Sequence, residues 1–379
     1  MKHFKLFFLA LVLLLGTMLA ACGAGGGDQQ EEEPQQEEQQ QEEQEQPDDA
    51  AAEAPADFKV AMVTDTGGID DKSFNQSAWE GMKRFGGANN LEEGHGFKYL
   101  QSGDASDYAP NLNALVREDY DLIWAIGFLM ASDIKTVATQ RPDNQFAIVD
   151  MVVTGDDDVP LSNVAHITFK EHEGSFLAGV VAGMHSESNK IGFVGGVEGA
   201  LIKKFENGFK AGVKMVNPDA EIIVQYAEDF NDESKGQQIA NAMYSQGVDV
   251  IYHASGGTGI GVFTEAKNRK RNGEDVWVIG VDSDQHEEGM PENVTLTSMI
   301  KRVDRAIESV TEQTMSGNFP GGDIIEYGLE DEGVGIAQTQ DNVSEEALAA
   351  VDEYSAKIKA GEIQVPTTDE EYEEFLASR

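Results

Sequence analysis

Polar and aromatic side chains recur in this chain directly after short apolar runs, where a strand would end and a loop begin. The first such place reads Thr64-Asp65-Thr66-Gly67-Gly68-Ile69-Asp70-Asp71-Lys72, followed by Ser73-Phe74-Asn75-Gln76. A glycine-bearing turn ahead of a helix can cradle phosphate through its backbone N–H groups. Three carboxylates against one lysine argue against an anion here, and the segment is neither Gly-x-Gly-x-x-Gly nor a P-loop. The chemistry that fits is acceptance of hydrogen bonds, by Asp65, from a neutral ligand bearing hydroxyl or amine groups. Spacing leaves a second reading of Asp65 open, as a turn or helix-capping aspartate.

Further along, Phe230 stands in the acidic stretch Glu228-Asp229-Phe230-Asn231-Asp232, after an apolar strand and before a helix. An aromatic in a polar loop is hard to assign to a core, and stacking one ring on an aromatic base contributes about 1–3 kcal/mol. Phe74 and Phe205 differ, because Phe74-Ala78-Met82-Phe85 and Leu201-Phe205-Phe209 are helical stripes for which core packing is the plainer role. Ser255-Gly256-Gly257-Thr258-Gly259 follows another apolar strand; its glycines let backbone N–H groups approach a ligand, or simply make a tight turn. Asp282 ends a further strand, and Lys301 precedes a helix from about Arg302, where the macrodipole disfavours a cation without a compensating partner. Asp282 with Lys301, accepting from and donating to vicinal hydroxyls, would suit a ribose; a surface ion pair is the alternative. No His-Glu-x-x-His, Gly-x-Ser-x-Gly or paired metal-ligand spacing is present, so neither an enzyme nor a bound metal or cofactor is expected. His166 and His172 are spaced too loosely for a metal and read as strand-end or surface residues.

These positions need elements to hold them. Ten short apolar runs from Lys59–Thr64 to Val294–Ser298 alternate with helical stretches such as Ser73–Phe85, Glu171–His185, Leu201–Val216 and Ser234–Gln246. That alternation predicts an α/β fold of parallel sheets covered on both faces. The units are too many for one doubly wound sheet of usual size, and two lobes fit better. The chain is expected to cross between them near 165–170, 282–295 and 320–340. Lobe 1 would then hold residues 58–165 and about 283–325, and lobe 2 residues 166–282 and about 326–379. In such sheets ligands bind beyond the carboxyl ends of the strands, which places this one in the cleft.

The chain has 379 residues, 69 acids against 27 bases, a net charge of −42 and one cysteine. So acidic a protein lacks the footprint of a nucleic-acid binder. At the N-terminus, Lys2 and Lys5 precede the apolar run Leu6–Leu15 and the sequence Leu19-Ala20-Ala21-Cys22. This is an export signal, too short for a stable spanning helix. Its end resembles the bacterial lipobox, which makes Cys22 the site of lipidation; each buried methylene is worth about 0.8 kcal/mol, and two or more chains anchor stably. The 35 residues from 23 to 57 hold 13 acids and no base, a composition that stays disordered. As a coil they span about 30–35 Å, a tether between a membrane and a folded body. The body from Phe58 still carries 56 acids against 25 bases, so the acidity belongs to the folded surface as well.

Together these segments resemble the basic-membrane-protein family of ABC-transporter substrate-binding lipoproteins, whose better-known members are purine-nucleoside receptors. The resemblance rests on Val63-Thr64-Asp65 through Gln76, Ala125-Ile126-Gly127-Phe128, Phe146–Asp150, Glu173–Gly179, Phe205–Phe209, Gly280–Gln285 and Ser298–Arg302, in that order behind the lipobox. It implies two doubly wound lobes joined by a hinge, of the type I periplasmic-binding class. Carried over residue by residue, it makes Phe74 and Phe230 the pair that clamps the base, and Asp65, Thr66 and Asn75 the contacts to the base edge. Phe205 would line the pocket, Gly256, Asp282 and Lys301 would hold the ribose, and Asp133 would join them. Asp150 would support the site from a neighbouring strand end. Where relatives carry an amide beside the first aspartate this chain has Thr66, which leaves the base preference open. The implied protein is a monomeric, lipid-anchored extracytoplasmic receptor that delivers a nucleoside to the permease and ATPase subunits of an importer. A receptor for a sugar or another small neutral solute is the alternative on the same fold.

Overall fold

The structure, a computed structural model, describes residues 57–378. Cys22, the signal segment and the tether up to residue 56 lie outside the described residues. From Val60 the chain lays down five strands, β1 (Val60–Val63), β2 (Phe97–Leu100), β3 (Leu122–Ala125), β4 (Gln145–Val149) and β5 (Val164–Phe169). Helices α1 (Phe74–Ala88), α2 (Tyr108–Arg117) and α3 (Ala131–Gln140) connect them. All pair in parallel, and β1 and β3 are buried along their whole length, which is why they read as continuous apolar runs.

The second sheet repeats the plan with α4 (Glu171–His185), β6 (Lys190–Gly195), α5 (Ala200–Val216), β7 (Glu221–Tyr226), α6 (Glu233–Ser245), β8 (Val250–Ala254), α7 (Thr258–Arg271), β9 (Trp277–Asp282) and β10 (Thr295–Lys301). The chain then returns to the first lobe as α8 (Val303–Met315) and β11 (Ile324–Tyr327), and ends in the second as β12 (Val334–Ile336), α9 (Glu345–Lys359) and α10 (Asp369–Ala377). The sheet orders, β11-β5-β4-β3-β1-β2 and β12-β10-β9-β8-β6-β7, match position for position. Only β12, on its sheet's edge, runs antiparallel to its neighbour.

This corrects two of the expected lobe boundaries. Strand β5 belongs wholly to the first sheet, between β4 and β11, so the first crossing falls at Lys170. Strand β10 pairs with β9 in the second sheet, so the return comes at Arg302 and not near residue 283. Segment 283–294 is a crossover inside one sheet whose one helical piece is a single 3₁₀ turn, His286–Gly289. The return is secured by α8, which lies so close on α1 that a Cβ on Gly81 would fall 2.3 Å from the Asp304 carbonyl oxygen. Arg84 of α1 reaches Asp304 at 2.6 Å, and Trp124 of β3 donates to Thr311 at 3.1 Å. His166, expected at a surface or strand end, is instead fully buried on β5, between the carbonyls of Val153 and Asp323. Among the described residues no helix is long and apolar enough to cross a membrane, and no group of His, Cys, Asp and Glu is arranged to hold a metal ion.

Candidate ligand-binding site

In each sheet the strand order reverses direction beside its first strand, between β1 and β3 and between β6 and β8. The crevice beyond the carboxyl ends at such a switch point is where doubly wound sheets bind ligands. Here the two crevices face one another across a pocket whose empty space, counting the part open to solvent, is about 510 Å³. Its wall is made by residues that follow β1, β3, β4, β7 and β8, by the last residues of β8, β9 and β10, and by the first two turns of α5.

The β1–α1 loop builds the first wall. Asp71 turns back on the loop and accepts from the backbone N–H groups of Ser73, Asn75 and Gln76 at 2.8–3.0 Å, closing the N-terminus of α1. Capping therefore falls to Asp71 and leaves Asp65 for other work. The Asn75 amide nitrogen donates to Asp65 Oδ1 at 2.7 Å and to Asp71 Oδ2 at 3.0 Å. The Gly67 N–H donates to the same Asp65 oxygen at 3.0 Å. With its nitrogen committed to two carboxylates, Asn75 presents Oδ1, which is buried and has no partner. Asp65 Oδ2 lies on the side of Gly127, whose positive φ of 112° keeps the β3 end free of a side chain. Burial pushes the Asp65 carboxyl up to about 6, against the lowering effect of the Gly67 and Asn75 donors. The wall thus offers hydrogen-bond acceptors.

Aromatic rings bound the cavity from both lobes. Phe74 enters from α1 of the first lobe, while Phe205 of α5 and Phe230 of the β7–α6 loop enter from the second. Phe230 rests on the β6 end: a Cβ on Gly196 would fall 2.1 Å from its ring, and one on Gly256 3.6 Å from its Cβ. Phe128 meets Phe230 edge-on with ring centroids 6.1 Å apart.

A cluster of charge closes the far end. Lys301, 1% exposed at the end of β10, donates to Asp150 Oδ2 at 2.6 Å and pairs with Glu171 Oε1 at 3.2 Å. Its ammonium lies 5.0–5.5 Å from the ring centres of Phe74, Phe169 and Phe205, a cation–π setting. Burial works to lower the lysine, but Asp150, Glu171 and Asp282 outweigh it and hold the ammonium above its ordinary range. The expected direct couple of Lys301 with Asp282 gives way to this arrangement, and burial of both residues excludes the surface pair. Asp282 instead accepts a short hydrogen bond from Ser73 of the opposite lobe. Burial raises its carboxyl to about 7 despite Lys301 and Ser73. Asp150 Oδ1 is buried and unpartnered at the cavity wall.

Of the residues singled out in the sequence, Asp65, Phe74, Asn75, Phe205, Phe230, Gly256, Asp282 and Lys301 all line this one cavity. Thr66 and Asp133 do not: the Thr66 carbonyl is taken by Asn231 across the cleft at 3.1 Å, and Asp133 lies in the first turn of α3. Asp71 and Ser255 line it without having been chosen, and Glu171 completes the charge cluster. Asp71 was hidden among three aspartates of one turn. Glu171 looks from sequence like any acid in a helix's first turn.

Two matching sheets, a hinge of three crossings and a wall shared between lobes define a two-lobed solute-binding protein. Solved structures agree. A solute-binding protein of an ABC transporter system from Aeropyrum pernix superposes with a TM-score of 0.74 at 25% identity, over 84% of this chain and 98% of that one. The family model described as "ABC transporter substrate-binding protein PnrA-like" matches residues 58–369. The chain belongs to that family, one of substrate-binding receptors rather than enzymes. Similar relatives include the "CD4+ T-cell-stimulating antigen" of Listeria innocua, 57% identical over 82% of this chain and 88% of the relative. The "ABC transporter nucleoside-binding protein BmpA" of Lactococcus lactis is 41% identical over 84% and 91%. "Basic membrane protein A" of Borreliella burgdorferi is 38% identical over 84% and 90%.

Proposed function

We propose that the protein captures a nucleoside, with purine nucleosides the favoured class, by closing its lobes around it, and hands it to an ABC importer. The observation that carries this reading is the shared wall: Phe74 and Phe230, from opposite lobes, bound one cavity that has acceptors at one end and a carboxylate–ammonium cluster at the other. The two rings suit the faces of a flat base. Asp65 and Asn75 Oδ1 suit the N–H donors of its edge. Asp282, Asp150, Lys301 and the Gly256 backbone suit the hydroxyls of a ribose. A phosphate would bring further negative charge beside Asp65, Asp71, Asp150 and Asp282, all of them at the wall. The name of the Lactococcus lactis relative points the same way. Binding energy shifts an open–closed equilibrium, and the permease reads the closed form.

In this reading Cys22 carries the lipid that holds the receptor outside the cytoplasmic membrane, and the receptor works as a monomer. A Cys22→Ser chain should appear in the culture medium; its retention on cells would remove the anchor from the scheme. The ligand is tested by a thermal-shift and calorimetric screen against nucleosides, free bases, sugars and amino acids. Nucleosides should stabilise the protein most. Stabilisation by sugars with none by nucleosides would overturn the assignment in favour of a sugar receptor.

A further inference from the structure

A chain of hydrogen bonds runs from the second lobe's cavity wall, through the interior, to the first lobe's ligand-contacting loop. Ser255, in the wall after β8, bonds His253 Nδ1 at 3.3 Å, and His253 Nε2 bonds Gln285 Oε1 at 2.9 Å. The Gln285 amide nitrogen donates across the lobe boundary to the Lys72 carbonyl at 2.9 Å. Ser255, His253 and Gln285 are each no more than 1% exposed. The direction of the chain is fixed. Gln285 Oε1 also accepts from the Val281 N–H at 2.9 Å, and the Gln285 backbone N–H donates to Ser298 at 3.0 Å. The amide nitrogen is therefore the end left to face the other lobe. Burial lowers the His253 ring to about 4, which keeps it neutral, with Nε2 as donor and Nδ1 as acceptor from Ser255.

What the chain holds is the segment that places three groups of the site. Lys72 has a φ of 58°, a left-handed conformation uncommon for lysine. It is followed by Ser73, which donates to Asp282, then by Phe74 and Asn75. A second cross-lobe bond, from the Asn231 side chain to the Thr66 carbonyl at 3.1 Å, ties the other end of the same loop to the neighbour of Phe230. Both acceptors are backbone carbonyls, so neither bond depends on what the cavity contains.

We infer that Gln285, held by His253, and Asn231 are positioning residues that latch the closed lobes onto the β1–α1 loop and set the lifetime of the complex without reading the ligand. This rests on the receptor reading above but is separable from it. Contacts to a ligand decide which solute binds, whereas the latch decides how long any bound solute stays.

The experiment compares wild type, Gln285→Ala and Asn231→Ala by surface plasmon resonance with guanosine and adenosine as probes, and by small-angle X-ray scattering with and without guanosine. Each variant should dissociate both probes about tenfold faster, with the association rate and the guanosine-to-adenosine ratio unchanged, and should show a more open scattering profile. Asn231 is exposed, so its variant tests the latch even where Gln285→Ala disturbs the interior beside His253. Wild-type dissociation rates in Asn231→Ala, or a shifted probe ratio in either variant, would overturn the proposal. If no nucleoside binds any of the three proteins, the receptor reading fails. The ligand-free scattering comparison then decides the latch, and identical profiles overturn it.

Discussion

Two residues show how differently neighbouring side chains are constrained. Phe230 is only partly buried, and its ring is supported by the bare backbone of Gly196. Removing the ring should cost the stacking energy, about 1–3 kcal/mol, or roughly ten- to hundredfold in affinity, and leave the melting temperature near wild type. Gly196→Ala should reproduce much of that loss with the phenyl group still present, since the new methyl takes the place of the ring edge. Calorimetry on both variants checks the pair; a Gly196→Ala protein that binds like wild type would show that the ring is not held there. Lys301 is the opposite case. Its removal strands Asp150 as a buried charge and leaves Glu171 only Lys204, so Lys301→Met should lose about 3–5 kcal/mol of stability before any ligand is added. The double variant with Asp150→Asn should recover part of it. Urea unfolding measures both, and a Lys301→Met protein as stable as wild type would contradict the buried cluster. The sequence offered Lys301 as a cation needing a partner, which was correct, but named Asp282. The true partners, Asp150 and Glu171, are 151 and 130 positions away in the chain, and only the crossing of both hinge segments at one point brings them together.

At the scale of elements, α1 depends on a cap that its own preceding residue does not supply: Ser73 makes no capping bond, and Asp71 serves in its place through three backbone N–H groups. Asp71→Ala should cost about 1–2 kcal/mol and also release Asn75, weakening ligand binding along with stability. A variant that loses affinity alone would mean that Asp71 touches the ligand rather than the helix. Most of the strands and helices were legible because buried parallel strands are continuous apolar runs between amphipathic helices. Strands β11 and β12 were not. The first alternates exposed and half-buried residues, with Ile324 52% exposed, and the second is three residues long. Edge strands of this kind carry no apolar run to read. The lobe assignment of β10 failed for a related reason. Only a short 3₁₀ turn, His286–Gly289, separates it from β9, and segment 283–294, with Gly289 and Pro291, looks like a passage between lobes when it is a crossover within one sheet.

For the molecule as a whole, buried acids and buried histidines together set how stability responds to pH. Asp282 is raised to about 7 and Asp65 to about 6, and Asp71 and Asp150 are also raised, all chiefly by burial. An unfolded aspartate titrates near 3.9, so between roughly pH 4 and 7 these carboxyls bind more protons in the folded state than in the unfolded one. On their own these aspartates make stability fall as pH rises through that window, while His253 and His172, held near 4 by burial against about 6.5 when unfolded, lose stability on acidification and oppose them. From pH 7.5 to 5.5 the gain from Asp282 and Asp65 is on the order of 2–3 kcal/mol, about 4 °C for a body of this size, and the loss from the two histidines is of similar size. The surface works in the same direction as the aspartates, because a net charge of −42 repels itself less when acids are protonated. Salt separates the two effects: 0.5 M sodium chloride screens exposed charges but hardly touches the interior. In calorimetric melts of the ligand-free protein in that salt, going from pH 7.5 to 5.5 should therefore favour wild type over Asp282→Asn by about 3 °C, since the variant lacks the raised carboxyl and keeps both histidines. Glu206, Asp304, Asp369 and Glu371, whose carboxyls their donors and cations hold low, reverse the trend only at more acidic pH. An Asp282→Asn protein whose melting temperature follows pH from 7.5 to 5.5 in high salt just as wild type does would mean that the cavity carboxylates are not the desolvated group drawn here, and with them would go the closed, water-poor cleft.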